Sequence, residues 1–296
     1  MLLAALCWLA PVGLVVAQQR KTISLEPSEV LADAAVLTTA NELQLPVSNK
    51  ILIQPGDRVA FMGDSITAAG GYIRLTEAVL KTNYPDLKLP TFLNAGGGGQ
   101  KAEDMQPRFT RDMHLGDRPA WTFINVGIKD VWHRLGQPHD FAILEAYRSN
   151  VISMVEQSQG AGARVVLLTP TLITEDAASE GNKRFVLYAD VMKKIGKAKA
   201  CNVVDLHSLF LTALHHKTPG LPLTSDGVHM AVYGDAIMAI GLLRAFGVPD
   251  SVIANTDTLP FLKCRSWDMS AKRLTELLEI PPSRLAKADI IRGFTF

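Results

Sequence analysis

From residue 58 onward, short apolar runs rich in β-formers alternate with stretches of helical period, and that alternation leaves the chain few ways to fold. The runs cover residues 58–62, 91–94, 121–126, 164–169 and 202–205. Between the first two, Tyr72, Leu75, Val79 and Leu80 recur on one side of a helix expected over residues 72–82. Leu144, Tyr147, Val151, Met154 and Val155 mark a second helix, and Phe185, Tyr188, Met192 and Ile195 a third. Strands separated by helices pair in parallel through right-handed crossovers. The expected fold is therefore α/β, a three-layer α/β/α sandwich around a five-stranded, mainly parallel, flavodoxin-like sheet, closed by a helix over residues 231–246.

In such sheets ligands bind in the crevice beyond the carboxyl ends of the strands. Ser65 follows the first strand in Gly63-Asp64-Ser65-Ile66-Thr67, so it stands at a strand exit. Glycine, aspartate and serine all favour turns, and the tripeptide alone says little more than that. The second half of the argument lies downstream, in Asp226-Gly227-Val228-His229. A serine hydroxyl becomes a useful nucleophile when an imidazole takes its proton, and the imidazole works best when a buried carboxylate fixes its tautomer. One tight turn can place Asp226 and His229, three residues apart, on the same side, with Nδ1 toward the acid and Nε2 toward Ser65.

These residues, with two further stretches, resemble the SGNH (GDSL-type) esterases and lipases. That family carries Gly-Asp-Ser-Ile/Leu after its first strand, Asn-x-Gly-x-x-Gly after the second, Gly-x-Asn-Asp after the third and Asp-x-x-His before its last helix. The chain shows Gly63-Asp64-Ser65-Ile66, Asn94-Ala95-Gly96-Gly97-Gly98-Gly99, Gly127-Ile128-Lys129-Asp130 and Asp226-Gly227-Val228-His229 in the same order. The resemblance implies a Ser65–His229–Asp226 triad and an oxyanion hole built from the Ser65 and Gly96 N–H groups. Its third donor would stand at residue 129, where the family's asparagine is replaced by lysine. An ammonium is a longer, strongly hydrated point charge, so Lys129 either stabilises an oxyanion or swings away to pair with an acid. Asp130 reads as a structural hydrogen-bonding residue, and Trp132 and His133 are candidates for the substrate pocket.

The resemblance implies a carboxylic ester hydrolase with a short acyl group, most plausibly acetyl, on a carbohydrate or small-molecule ester. The alternatives are a lysophospholipase or thioesterase, or a ligand-binding protein weakened by the loss of the oxyanion asparagine. Acyl transfer to serine and then to water needs no cofactor. His207, His215 and His216 lack an acidic or cysteine cluster at ligand spacing, so no metal site is expected. With 30 Lys and Arg against 29 Asp and Glu there is no basic excess to suggest nucleic acid.

Four segments are expected: a signal peptide at 1–17, an N-terminal extension at 18–55, the esterase domain at 56–247 and a C-terminal extension at 248–296. Residues 1–17 are almost wholly apolar and end in Val15-Val16-Ala17 before polar Gln18, which reads as an export signal and leaves no stable membrane span in the mature chain. Cleavage there would leave Cys201 and Cys264, a pair that permits one disulfide.

Overall fold

The computed structural model describes residues 51–216 and 222–254. Five strands form one wholly parallel sheet: β1 (Val59–Gly63), β2 (Leu93–Gly96), β3 (Trp121–Asn125), β4 (Arg164–Leu168) and β5 (Asn202–Val204). Their order across the sheet is β2-β1-β3-β4-β5. β1 and β3 are buried along their whole length, as expected of parallel strands covered on both faces.

A short helix α1 (Ser65–Ala69) follows β1, and α2 (Gly71–Asn83) carries the chain to β2. The chain then crosses β1 to reach β3 and continues outward through α3 (Ile128–Trp132), α4 (Phe141–Gly160), β4, α5 (Glu180–Lys199), β5 and α6 (Leu206–His216). Right-handed crossovers running in opposite directions from β1 put α2 on one face and α4 and α5 on the other. The closing helix α7 (Val232–Ala245) packs against α2. The reversal between β1 and β3 is the topological switch point, where the carboxyl ends of the strands open a crevice. Ser65 lies two residues beyond Gly63, which pairs with Asn125 and with Gly96.

The core is aromatic where β1 and β3 meet. Phe61 stacks on Phe123 with centroids 4.7 Å apart, and Phe246, just after α7, packs against both Phe123 and Trp121. The domain also reaches past the limits of 56 and 247 expected from sequence. Ile53 and Ile253 are both buried in this core, Leu52 N–H donates to Phe246 C=O at 2.7 Å, and Arg244 Nε meets Asp250 Oδ1 at 2.8 Å. The expected signal peptide at 1–17 and Cys264 lie outside the described residues. Cys201 is half-buried and has no disulfide partner among the described residues, and burial raises its thiol pKa to about 11. Among the described residues no helix is long and apolar enough to cross a membrane.

Candidate active site

Ser65 is the first residue of α1, and the helix is capped by its neighbour: Asp64 Oδ1 accepts from Ile66 N–H at 2.9 Å. Thr67 anchors the turn from below. Its Oγ1 is 2.9 Å from the Tyr72 hydroxyl and accepts from Asn125 Nδ2 at 3.2 Å. A Cβ on Gly63 would fall 2.0 Å from Thr67 Oγ1, so the Ser65 turn can sit this close to β1 only over a glycine. Asn94 ties the next loop to the same turn: its Nδ2 donates to Thr67 C=O at 2.7 Å while its Oδ1 accepts from Gly96 N–H at 2.9 Å.

His229 Nε2 lies 2.9 Å from Ser65 Oγ, and His229 Nδ1 lies 2.7 Å from Asp226 Oδ2. A carboxylate can only accept, so Nδ1 carries the proton and Nε2 is left to accept from the serine hydroxyl. Asp226 Oδ1 also accepts from Val228 N–H at 3.0 Å and His229 N–H at 2.8 Å. The carboxylate is not buried as the chemistry of a triad leads one to expect; its side chain is 54% exposed. Geometry orients it instead, and the hydrogen bond from the His229 ring, followed by that from His229 N–H, lowers its pKa to about 2.

The Asp226–His229 turn is held from another loop, a feature without a local sequence signal. Glu175 Oε1 accepts from Leu223 N–H at 2.6 Å, Thr224 N–H at 2.8 Å and Thr224 Oγ1 at 3.1 Å. Its neighbour Thr174, in the left-handed region at φ +63°, donates its N–H to Gly227 C=O at 2.6 Å. Glu175 is thus a positioning residue. Removing the acceptor in Glu175→Ala should lower kcat about tenfold by loosening the His229 turn, with KM little changed. Glu175→Gln keeps a carbonyl oxygen and should recover most of the rate. Equal rates in wild type and folded Glu175→Ala would remove the positioning role.

The N–H groups of the glycine loop differ in their partners. The resemblance points to Gly96, but its N–H is committed to Asn94, and a Cβ there would lie 2.2 Å from Ala68 N, so this glycine serves packing. Gly97 N–H is committed to Gly63 C=O at 2.8 Å. Gly98 and Gly99 occupy the middle of the turn closed by Gln100 N–H to Gly97 C=O, with Gly99 at φ +73°. Among the described residues their N–H groups, like that of Ser65, have no acceptor. Asp130 is buried, with both oxygens near Ala102 N–H at 3.2 and 3.3 Å, and so fastens α3 to the segment that follows the glycine loop. Lys129 is also buried, whereas Trp132 and His133 are exposed. His207 is buried, with Nδ1 2.8 Å from Thr171 C=O, and burial lowers its pKa. Among the described residues no three His, Cys, Asp or Glu side chains converge as a metal would require.

Three carboxyls around this framework are held above their usual range chiefly by burial: Asp64 rises from 3.8 to about 6, and Asp130 and Asp235 to about 7. Between these values and 3.8 the folded protein holds more protons than the unfolded chain, so stability falls as pH rises through that window. The low pKa of Asp226 acts in the opposite sense only at more acid pH, and the lowered pKa values of His207 and His139 oppose the three carboxyls below about pH 6.5 without outweighing them. The urea midpoint should therefore decrease from about pH 5 to about pH 8. A rising midpoint over that range would contradict the burial of these acids.

The sequence profile of the GDSL-like Lipase/Acylhydrolase family matches residues 61–237, which includes every residue of the Ser65–His229–Asp226 chain. The chain belongs to this family. As a GDSL-family member it is a hydrolase of carboxylic esters. An acetylxylan esterase of Geobacillus stearothermophilus is 27% identical over 213 residues, covering 66% of this chain and 96% of that protein. The crystal structure of Axe2, an acetylxylan esterase from the same organism, matches with a TM-score of 0.60 at 27% identity, over 67% of this chain and 97% of that one. LAE5, an alpha/beta hydrolase enzyme from the metagenome of Lake Arreo, Spain, matches with a TM-score of 0.61 at 26% identity, over 67% of this chain and 99% of that one. Three further Axe2 structures, each described as a catalytic mutant, replace a serine, a histidine or an aspartate by alanine.

Proposed function

We propose that this GDSL-family hydrolase is a serine esterase that removes acetyl groups from carbohydrate esters. The observation that carries the reading is the continuous hydrogen-bond chain from Ser65 Oγ through His229 to Asp226, at 2.9 and 2.7 Å. As Ser65 Oγ attacks the acyl carbonyl, His229 Nε2 takes its proton, and the imidazolium that forms is stabilised by Asp226. The Ser65 N–H and the open N–H groups of the Gly98–Gly99 turn receive the developing oxyanion. Collapse of the tetrahedral intermediate releases the sugar hydroxyl, which takes its proton from His229 and leaves an acetyl-Ser65 ester. Water, deprotonated by His229, attacks that ester and returns the serine with acetate as product.

The acetyl preference draws on the acetylxylan esterases the chain resembles and on the triad residue types that the Axe2 catalytic mutants share. Acetate release from an acetylated xylo-oligosaccharide, set beside hydrolysis of a long-chain acyl ester, tests it. Efficient acetate release with weak long-chain activity is expected. Cleavage of the long-chain ester without acetate release would sink the acetyl assignment.

A further inference from the structure

Lys129 brings a positive charge to a place where the family has a neutral amide. It lies in α3, four residues past Asn125, the strand partner of Gly63. The residue is only 7% exposed, and its Nζ stands 5.4 Å from the centroid of the Trp132 ring. The acid that follows it in α3, and one in the segment that this acid fastens, are engaged elsewhere. Glu103 pairs with Lys101 and Arg134, and Asp130 is fastened to Ala102 N–H. Among the described residues no carboxylate lies within ion-pair distance of Lys129, so the sequence alternative of a lysine swung onto an acid does not describe this side chain. Lys129 also lies within electrostatic reach of Asp64, the residue before Ser65, where its charge and that of His229 partly offset the rise that burial causes in the carboxyl pKa.

The Lys129 ammonium has no ion-pair partner among the described residues, and the aromatic ring beside it replaces only part of the hydration that the burial of its stem removes. An arriving anion would supply the rest. The transient oxyanion already has backbone donors, at Ser65 and in the Gly98–Gly99 turn. A charge that is part of the substrate throughout binding makes fuller use of a fixed lysine. Trp132, 38% exposed beside it, adds an open aromatic surface of the kind that packs against the apolar face of a sugar ring.

We propose that Lys129 and Trp132 form an anion subsite beside Ser65 which selects acetyl esters of acidic saccharides, the sugar carboxylate meeting the Lys129 ammonium while the ring lies against Trp132. This rests on the serine-esterase reading of the site. The full chain is assayed on an O-acetylated uronic-acid oligosaccharide and an O-acetylated xylo-oligosaccharide, with Lys129→Met and Lys129→Arg alongside the wild type. The wild type should favour the acidic ester in kcat/KM by on the order of 30-fold, mainly through KM, with the preference weakening as salt rises. Lys129→Met should bring the ratio close to one, and Lys129→Arg should restore most of it. A wild type without the preference overturns the proposal whether or not the variants fold, as does a Lys129→Met protein that loses the same factor on both esters, which would make Lys129 an oxyanion donor. Absence of turnover on either ester and on any simple acyl ester would fell the esterase reading, and this proposal with it.

Discussion

Ser65→Ala is expected to lower ester turnover by at least about 10³-fold while leaving the fold intact, because it removes the nucleophile and nothing that the core depends on. His229→Ala should cost a comparable factor, since Ser65 Oγ then has no acceptor for its proton. Asp226→Ala should cost less than either. Its carboxylate is half exposed and acts on the reaction only through the tautomer and orientation of His229. Steady-state kinetics on an acetyl ester, with circular dichroism to confirm folding, checks all three. A folded Ser65→Ala protein that turns over at the wild-type rate would remove Ser65 from the mechanism.

Gly96→Ala should damage both stability and rate, by a mechanism unrelated to oxyanion binding. The added Cβ would lie 2.2 Å from Ala68 N and 2.6 Å from Ala68 Cα, backbone atoms that cannot turn aside as a side-chain tip can. Either β2 or the nucleophile turn must move. Overpacking of this kind typically costs roughly 1–3 kcal/mol, about 3–10 °C in melting temperature for a domain of this size. Displacing Ser65 from His229 should also reduce turnover by on the order of 100-fold. Gly116→Ala is the matched control, because a Cβ there meets nothing within 4 Å. A Gly96→Ala protein as stable and active as the Gly116→Ala protein would show that the contact with Ala68 does not constrain the site.

The strands were readable because burial on both faces turns each one into a short apolar run, and all five expected runs overlap the observed strands. Ser65 and the Asp226–His229 pair were readable because their chemistry needs those residue types at a strand exit and in one tight turn. The glycine loop shows where such reading stops. Four consecutive glycines are chemically identical in sequence, and only the hydrogen bonds distinguish Gly96 and Gly97, whose N–H groups are committed, from Gly98 and Gly99, whose N–H groups are open. Glu175 was invisible for a related reason. A side chain that accepts from backbone N–H groups 48 and 49 residues away leaves no period or spacing in the sequence. Ile53 and Ile253 enter the core from outside the repeating strand and helix pattern, so that pattern gives no sign of them.

The central claim is that His229 and Asp226 activate Ser65, and covalent labelling tests it most directly. The folded protein is incubated with a fluorophosphonate, digested and mapped by mass spectrometry. A single adduct is expected on the peptide that contains Ser65, formed in the wild type and lost in His229→Ala. An adduct on a different serine, or a Ser65 that stays unlabelled in protein actively hydrolysing an acetyl ester, would contradict it.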